Sequence, residues 1–233
     1  MEGAAVGRIP YRHRTDSVVR DDLRRQRHYD GAVLVKWMRC GIVDQAGFDR
    51  GQRRWAALKE QPGFRGQGGG WSRAQPGMAH LFAFWDGRRS YDAFMAGPHD
   101  GIAAAQSGTY EMLATHLFEH RQDVKVGFEP TFTDADVLRV ALCKVRPDRV
   151  DHFTTMQQRV WNPAMAGSPG MLRGVFGQGT GNDFLVLSMW NSATERGKYR
   201  EGAVERLSER AELDTDVLSV AGDVVDVVQA WTV

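Results

Sequence analysis

The chain carries the same succession of residues twice. Between about residues 33 and 120, an apolar run, Val33-Leu34-Val35-Lys36-Trp37-Met38-Arg39-Cys40, precedes a helical pattern with Phe48, Gln52 and Trp55 on one face. A Pro62-Gly63-Phe64 turn follows, then a second apolar run, His80-Leu81-Phe82-Ala83-Phe84-Trp85-Asp86. Residues 137–231 repeat that order. They run Val137-Leu138-Arg139-Val140-Ala141-Leu142-Cys143, a helix with Phe153, Gln157 and Trp161, Pro169-Gly170-Met171, and the run Phe184-Leu185-Val186-Leu187-Ser188-Met189-Trp190-Asn191. Solenoid units repeat every 20–50 residues or so; a period of roughly a hundred fits two copies of one small domain.

Within the first copy the punctuation is clear. Phe48, Gln52, Trp55 and Leu58 at helical spacing predict a helix over 47–60 with one buried face, stopped by Pro62-Gly63. Ala74-Gln75-Pro76-Gly77 marks a hairpin before a strand over Met78–Trp85. A second helix starts near Arg88 with Tyr91, Phe94 and Met95 on one side and ends at Gly97-Pro98. A further helical stretch over 99–110 and a last strand over 114–121 complete β-α-β-β-α-β, the ferredoxin-like unit. The second copy follows suit, with its last strand expected at 223–231. Each sheet alone would expose an apolar face, and two such faces closing on each other bury a barrel interior and remove open edges. The expected fold is therefore α+β: two tandem ferredoxin-like repeats forming an intrachain pseudo-dimeric α/β barrel. It divides into a polar N-terminal extension (1–30), a first barrel half (31–121), a surface connector (122–136) and a second barrel half (137–233).

A formal charge of +1 over 233 residues argues against a nucleic-acid partner or a membrane surface, either of which leaves a basic excess on one face. No apolar run nears the roughly 20 residues of a spanning helix. With no apolar leader at the N-terminus, the expected location is cytoplasmic. Cys40 and Cys143 fall at equivalent strand positions and read as buried apolar side chains rather than a disulfide or zinc pair. No metal site is expected.

Strands ending in Trp85-Asp86 and Trp190-Asn191, each followed by a helix with aromatics, resemble the dimeric α/β-barrel superfamily that includes the antibiotic-biosynthesis monooxygenases. With Gly63-Phe64-Arg65-Gly66-Gln67-Gly68-Gly69-Gly70-Trp71-Ser72-Arg73 and Trp161-Asn162-Pro163-Ala164-Met165-Ala166-Gly167-Ser168-Pro169-Gly170-Met171, the tandem arrangement is similar to the uncharacterised YdbC-type family, common in actinobacteria. The resemblance covers residues 32–233. It implies cofactor-free oxygenation of electron-rich aromatics, haem binding or haem chemistry, or simple ligand binding.

The glycine run 66–70 is followed by Trp71 and a hairpin rather than a helix, which argues against a phosphate cradle. In a strand, glycines mark either a bulge or a close approach by backbone or ligand. The first reading bends the barrel wall. The second opens a pocket in the first half, bordered by Arg65, Gln67, Gly69, Trp71 and Arg73, with Trp161 as a further substrate contact. His80, if it faces the cleft of Trp71, is a candidate base; otherwise it is a core histidine. His99, just past Gly97-Pro98, is the other candidate base, since related barrels often carry a histidine near the end of helix two and imidazole titrates near neutrality. Otherwise it sits at the surface. Arg73 and Asn162 are candidate anion stabilisers, although Asn162 before Pro163 also reads as a helix C-terminus. Two functions follow: a cofactor-independent, monooxygenase-like enzyme for a small aromatic or quinol-type substrate, or a non-catalytic binder of haem or another flat hydrophobic ligand, with His80 or His99 as the axial residue. The expected partner is a small molecule, and the expected state a monomer with an internal pseudo-dimer, with a homodimer also compatible.

Overall fold

The apolar runs that open the two repeats become equivalent strands in a computed structural model that describes residues 32–125 and 127–233. The expected extension over 1–30 lies outside the described residues. The first half runs β1 (Leu34–Ile42), α1 (Gln45–Gln52) continuing as 3₁₀ turns (Arg53–Glu60), β2 (Phe64–Ser72), β3 (Met78–Trp85), α2 (Arg88–Ala96), α3 (His99–Ala103) and β4 (Tyr110–Asp123). The second runs β5 (Val137–Val145), α4 (Val150–Met156), a π-helical turn (Gln157–Trp161), α5 (Asn162–Ala166), β6 (Met171–Gln178) and β7 (Asp183–Trp190). It ends with α6 (Ala193–Tyr199), a second π turn (Arg200–Val204), α7 (Glu205–Arg210), α8 (Leu213–Asp216) and β8 (Val217–Val227). The matching Pro-Gly turns place Gly63 and Gly170 at the same φ, +76°, a left-handed conformation that favours glycine.

All eight strands close into one antiparallel barrel in the order β1-β3-β2-β8-β5-β7-β6-β4. Leu34 pairs with Trp85, and Val137 with Trp190, so the two halves share one register. Alternation along the strands sends Val35, Trp37, Phe82 and Phe84 from one half and Leu138, Val140, Leu185 and Leu187 from the other into a common interior. The opposite parity meets the helices. Leu34 and Trp85 pack against Trp55, Tyr91 and Phe94, and Trp190 packs with Trp161 and Tyr199. Trp85 and Trp190 are both 1% exposed. Two short seams join the halves, β2 to β8 through Gly70, Trp71 and Ser72, and β4 to β6.

Several expected boundaries shift. β4 begins at Tyr110, because the helical stretch ends at Gln106 and Gly108 turns the chain at φ +75°. β8 spans Val217–Val227, not 223–231, because β5 offers partners from Val137 to Val145. Trp231 then lies in a 3₁₀ turn that folds back onto Phe48 and Trp71. The connector is not purely a surface crossing. Phe132 is fully buried in the barrel interior and Phe128 packs beside it, both against Phe84.

That insertion explains the glycine run. A Cβ on Gly68 would overlap the Phe132 ring, and one on Gly66 would overlap the Pro130 carbonyl. Gly69 lies against the backbone of β3, and Gly70 against that of β8. The glycines admit the connector and the neighbouring strands, not a ligand.

Candidate functional site

Each half could hold a cleft between its helices and the outer face of its sheet, and the two halves use that space differently. In the first, side chains fill it. Gln106 accepts from Trp55 Nε1 at 2.8 Å and donates to the Phe48 carbonyl at 3.0 Å, while Trp231 covers Phe48 and Trp71. In the second half a cavity of about 240 Å³ remains open.

Why the second half is open can be read from aligned positions. Counting from Leu34 and Val137, Met38 corresponds to Ala141, which lines the cavity. Gln52 and Trp55 are three residues apart, whereas Gln157 and Trp161 are four apart. The additional residue is absorbed in the π turn Gln157–Trp161, at the place where the first half tightens into 3₁₀ turns. π turns occur mostly as single widened turns at functional sites. The second one, Arg200–Val204, lines the same cavity from the opposite helix.

The walls are largely apolar: Phe153, Trp161, Val186, Trp190 and Leu213 among them. Into this space come three arginines, Arg139, Arg196 and Arg200, and among the described residues none that lines it is acidic. Arg139 projects from β5. Its guanidinium lies on Gly222, where any side chain would overlap it, and donates to the Asp223 carbonyl at 3.3 Å. Burial, and then repulsion by Arg196, pull its pKa down to about 10. Burial and the neighbouring Arg200 lower Arg196 as well. Among the described residues, neither the Arg196 nor the Arg200 guanidinium has a hydrogen bond or ion pair. Tyr199 completes the set. Its hydroxyl is buried without a partner, and burial raises its pKa to about 12. Ser188 lines the wall and accepts from Trp190 Nε1 at 3.0 Å.

Of the residues singled out in the sequence, Trp161 lines the cavity directly and Asn162 stands behind it. The Asn162 amide accepts from Gln157 Nε2 at 2.6 Å and donates to Gln122 Oε1 at 3.0 Å, orienting Gln157 at the cavity wall. The helix does not end there. Asn162 is helical at φ −60°, ψ −48° and leads straight into α5, since the widened turn before it makes room for the Pro163 ring.

The remaining first-half candidates do not assemble into a pocket. His80 and Trp71 lie on opposite faces of the sheet. Trp71 faces outward, against Phe48 and Trp231, whereas His80 points into the barrel, where it stacks on Trp37. Trp37 Nε1 donates to His80 Nδ1 at 3.1 Å, which leaves the ring proton on Nε2, 3.2 Å from Asp223 Oδ2 but outside hydrogen-bond alignment. Burial lowers the His80 pKa, which keeps the imidazole neutral. Ser72 donates to the same carboxylate. His99 packs on Trp55 and Phe94, with Nδ1 2.8 Å from the exposed Asp100. Arg65 lies 3.7 Å from Asp86 at the surface, Gln67 is buried beside Val233, and Gly69 carries the β3 contact. Arg73 is held by Asp226 at the β2–β8 seam, close enough to Arg196 to disfavour its charge.

Haem does not fit this arrangement. His80 is sealed inside the barrel, His99 is partly exposed but packs on Trp55 and Phe94, and among the described residues no histidine lines the cavity, whose volume is below the roughly 300 Å³ at which pockets for drug-sized ligands begin. Among the described residues, no group of three or more His, Cys, Asp or Glu is placed to hold a metal ion, and no helix is long and apolar enough to cross a membrane.

Apart from Trp161, the cavity residues are not singled out in the sequence, but two signals mark them. One is a charge, Arg139, within the apolar run Val137–Cys143; the other is the unequal Gln-to-Trp spacing of the two repeats.

Comparison with known proteins agrees with this architecture. A candidate monooxygenase of Fusobacterium nucleatum superposes over 84% of this chain and 93% of its own, with a TM-score of 0.70 and 8% identity. A second, from Lactobacillus acidophilus, covers 84% and 94%, with a TM-score of 0.63 and 15% identity. At such identities the likeness establishes a shared ferredoxin-like barrel fold. In sequence, residues 34–118 match the domain of unknown function DUF4937. The uncharacterized protein YdbC of Bacillus subtilis is 30% identical over 95 residues, 39% of this chain and 80% of that protein. By that match the chain belongs to the YdbC family.

Proposed function

We propose that the second-half cavity binds a small, electron-rich aromatic compound through an acidic ring oxygen and that the protein oxidises it with O2, without a bound metal or cofactor. The observation that carries this reading is the meeting of aromatic walls with arginines that no acidic lining residue neutralises. Trp161 and Trp190 supply flat surfaces for a ring. Arg139, held on Gly222, faces the place where an oxyanion would sit. In a site of low dielectric a fixed cation favours the phenolate or enolate over the neutral form. That ionisation makes the ring a better electron donor to O2.

The chemistry balances without further reagents. The bound anion passes one electron to O2, and the resulting radical and superoxide combine at the ring carbon as a peroxide. Loss of water from the peroxide leaves a carbonyl, so a ring CH2 and O2 become C=O and H2O. Among the described residues no imidazole or carboxylate lines the cavity, so the Arg139 guanidinium, rather than a dedicated base, favours release of the substrate proton. The monooxygenase-like fold of the solved structures adds support by analogy only.

The test is an oxygen-electrode assay with anthrone-type and quinol-type compounds. O2 uptake equal to ketone or quinone formed, greatly reduced by Arg139→Met, is the expected result. Saturable binding with no O2 uptake across the series would assign the cavity to a binding protein instead.

A further inference from the structure

The three cavity arginines sit at three depths. Arg139 is the most enclosed, Arg196 is half-buried on α6, and Arg200 is exposed at the start of the following π turn. One oxyanion at Arg139 leaves the other two unbalanced. Arg196 and Arg200 are four residues apart on one helical segment, so they project from the same side. Like charges at that spacing destabilise a helix, and among the described residues no side-chain ion pair offsets them. The single acid of the first turn of α6, Glu195, is bonded to Lys198 instead. The corresponding positions of the closed first half, counted from Trp85 and Trp190, are Tyr91 and Met95. The pair of cations is therefore peculiar to the half whose helix–sheet cleft is open.

We infer that the ligand carries a second anionic group, a carboxylate, bound by Arg196 and Arg200 at the cavity mouth while its ring oxygen meets Arg139. The substrate class is then the hydroxylated aromatic carboxylic acids. Two guanidinia presented side by side suit a planar carboxylate, which accepts two parallel N–H bonds from one and a further bond from the other on its outer lone pairs. The apolar walls between mouth and floor suit the ring that joins the two groups. This inference rests on the reading of the cavity as the ligand site. It makes Arg196 and Arg200 specificity determinants, and it leaves the oxidation itself to the floor of the site.

Calorimetric titration of the full chain with 6-hydroxy-2-naphthoate, 2-naphthol and 2-naphthoate tests it, with inorganic phosphate as a competitor. The hydroxy acid should bind at least about tenfold more tightly than naphthol, the scale of one charge-assisted hydrogen bond. The Arg196→Met/Arg200→Met double variant should lose that advantage and keep its naphthol affinity. Both arginines are at least partly solvent-exposed, and a thermal melt verifies that the variant folds. Equal binding of acid and naphthol by the unmodified chain, an equal loss for both in the variant, or competition by millimolar phosphate against naphthol as strong as against the acid would overturn the second anionic contact while the oxygenase reading stands. If none of the three binds, and Ala141→Met in the cavity wall changes nothing in the O2 assay, the cavity reading fails and the inference with it.

Discussion

Arg139 rests on Gly222: the strand opposite the cavity arginine has no side chain where the guanidinium lies, and the next carbonyl, of Asp223, accepts from it. Gly222→Ala should therefore displace Arg139. The expected cost is about 1–3 kcal/mol of stability, since the new methyl also meets the Val140 carbonyl. Anion affinity should fall about tenfold or more. Titration with an aromatic anion, alongside a denaturation curve, reads both. Unchanged affinity would remove Arg139 from the site.

Trp85 and Trp190 occupy matched positions under the helices of their halves, each 1% exposed. Either one changed to Ala should destabilise by about 3–5 kcal/mol, as measured by urea unfolding. Trp190→Ala should also weaken ligand binding, because only Trp190 borders the cavity. Equal effects of the two variants on binding would contradict the asymmetry of the halves.

Lys36 corresponds to Arg139 in the closed half, and its environment makes it a stability liability. Only 7% exposed, with its ammonium 5.5 Å from the Tyr91 ring centre, it has its pKa lowered from 10.5 to about 8 by burial. The unfolded chain then holds the proton more tightly than the folded one, so stability rises as pH increases from about 8 to 10.5, and the full penalty applies below 8. Lys36→Met should raise stability at pH 7 by up to about 3 kcal/mol and flatten that rise. A variant with an unchanged pH profile would refute the assignment.

Glycine positions in β2 separate packing from binding. Gly68→Val should destabilise by about 1–3 kcal/mol through the Phe132 ring, and Gly69→Val comparably through the β3 backbone. Neither should alter ligand affinity in the folded fraction, because the cavity lies in the other half. Selective loss of binding in Gly69→Val would restore a first-half pocket.

His80 accepts from Trp37 and is kept neutral by burial, the largest influence on its lowered pKa. Its contribution is complete above the ordinary imidazole value of 6.5 and declines as pH falls below it, since the unfolded chain binds the proton first. In His80→Gln, whose amide oxygen can still accept from Trp37, stability should fall less steeply between pH 7 and 5. Parallel denaturation series of the two proteins would show it, and identical slopes would count against a neutral buried imidazole.

The repeat alone determined the barrel. Alternation in Val33–Cys40 and Val137–Cys143, helical spacing from Phe48 to Trp55, and the paired Trp85 and Trp190 are local patterns, each tied to a fixed backbone period. Those periods assign one face of every strand to the interior, and two copies sharing one register can close only on each other. Where the space remains was decided by tertiary packing. Gly66–Gly70 looked open, but Phe132 and Pro130, more than sixty residues away in the chain, occupy or approach those positions. Gln106 and Trp231 close the first-half cleft from equally distant segments, while Ala141 and the π turn at Gln157 leave the second open. A cavity is the volume that no side chain reaches, and the side chains that could reach it come from segments whose meeting only the folded chain fixes.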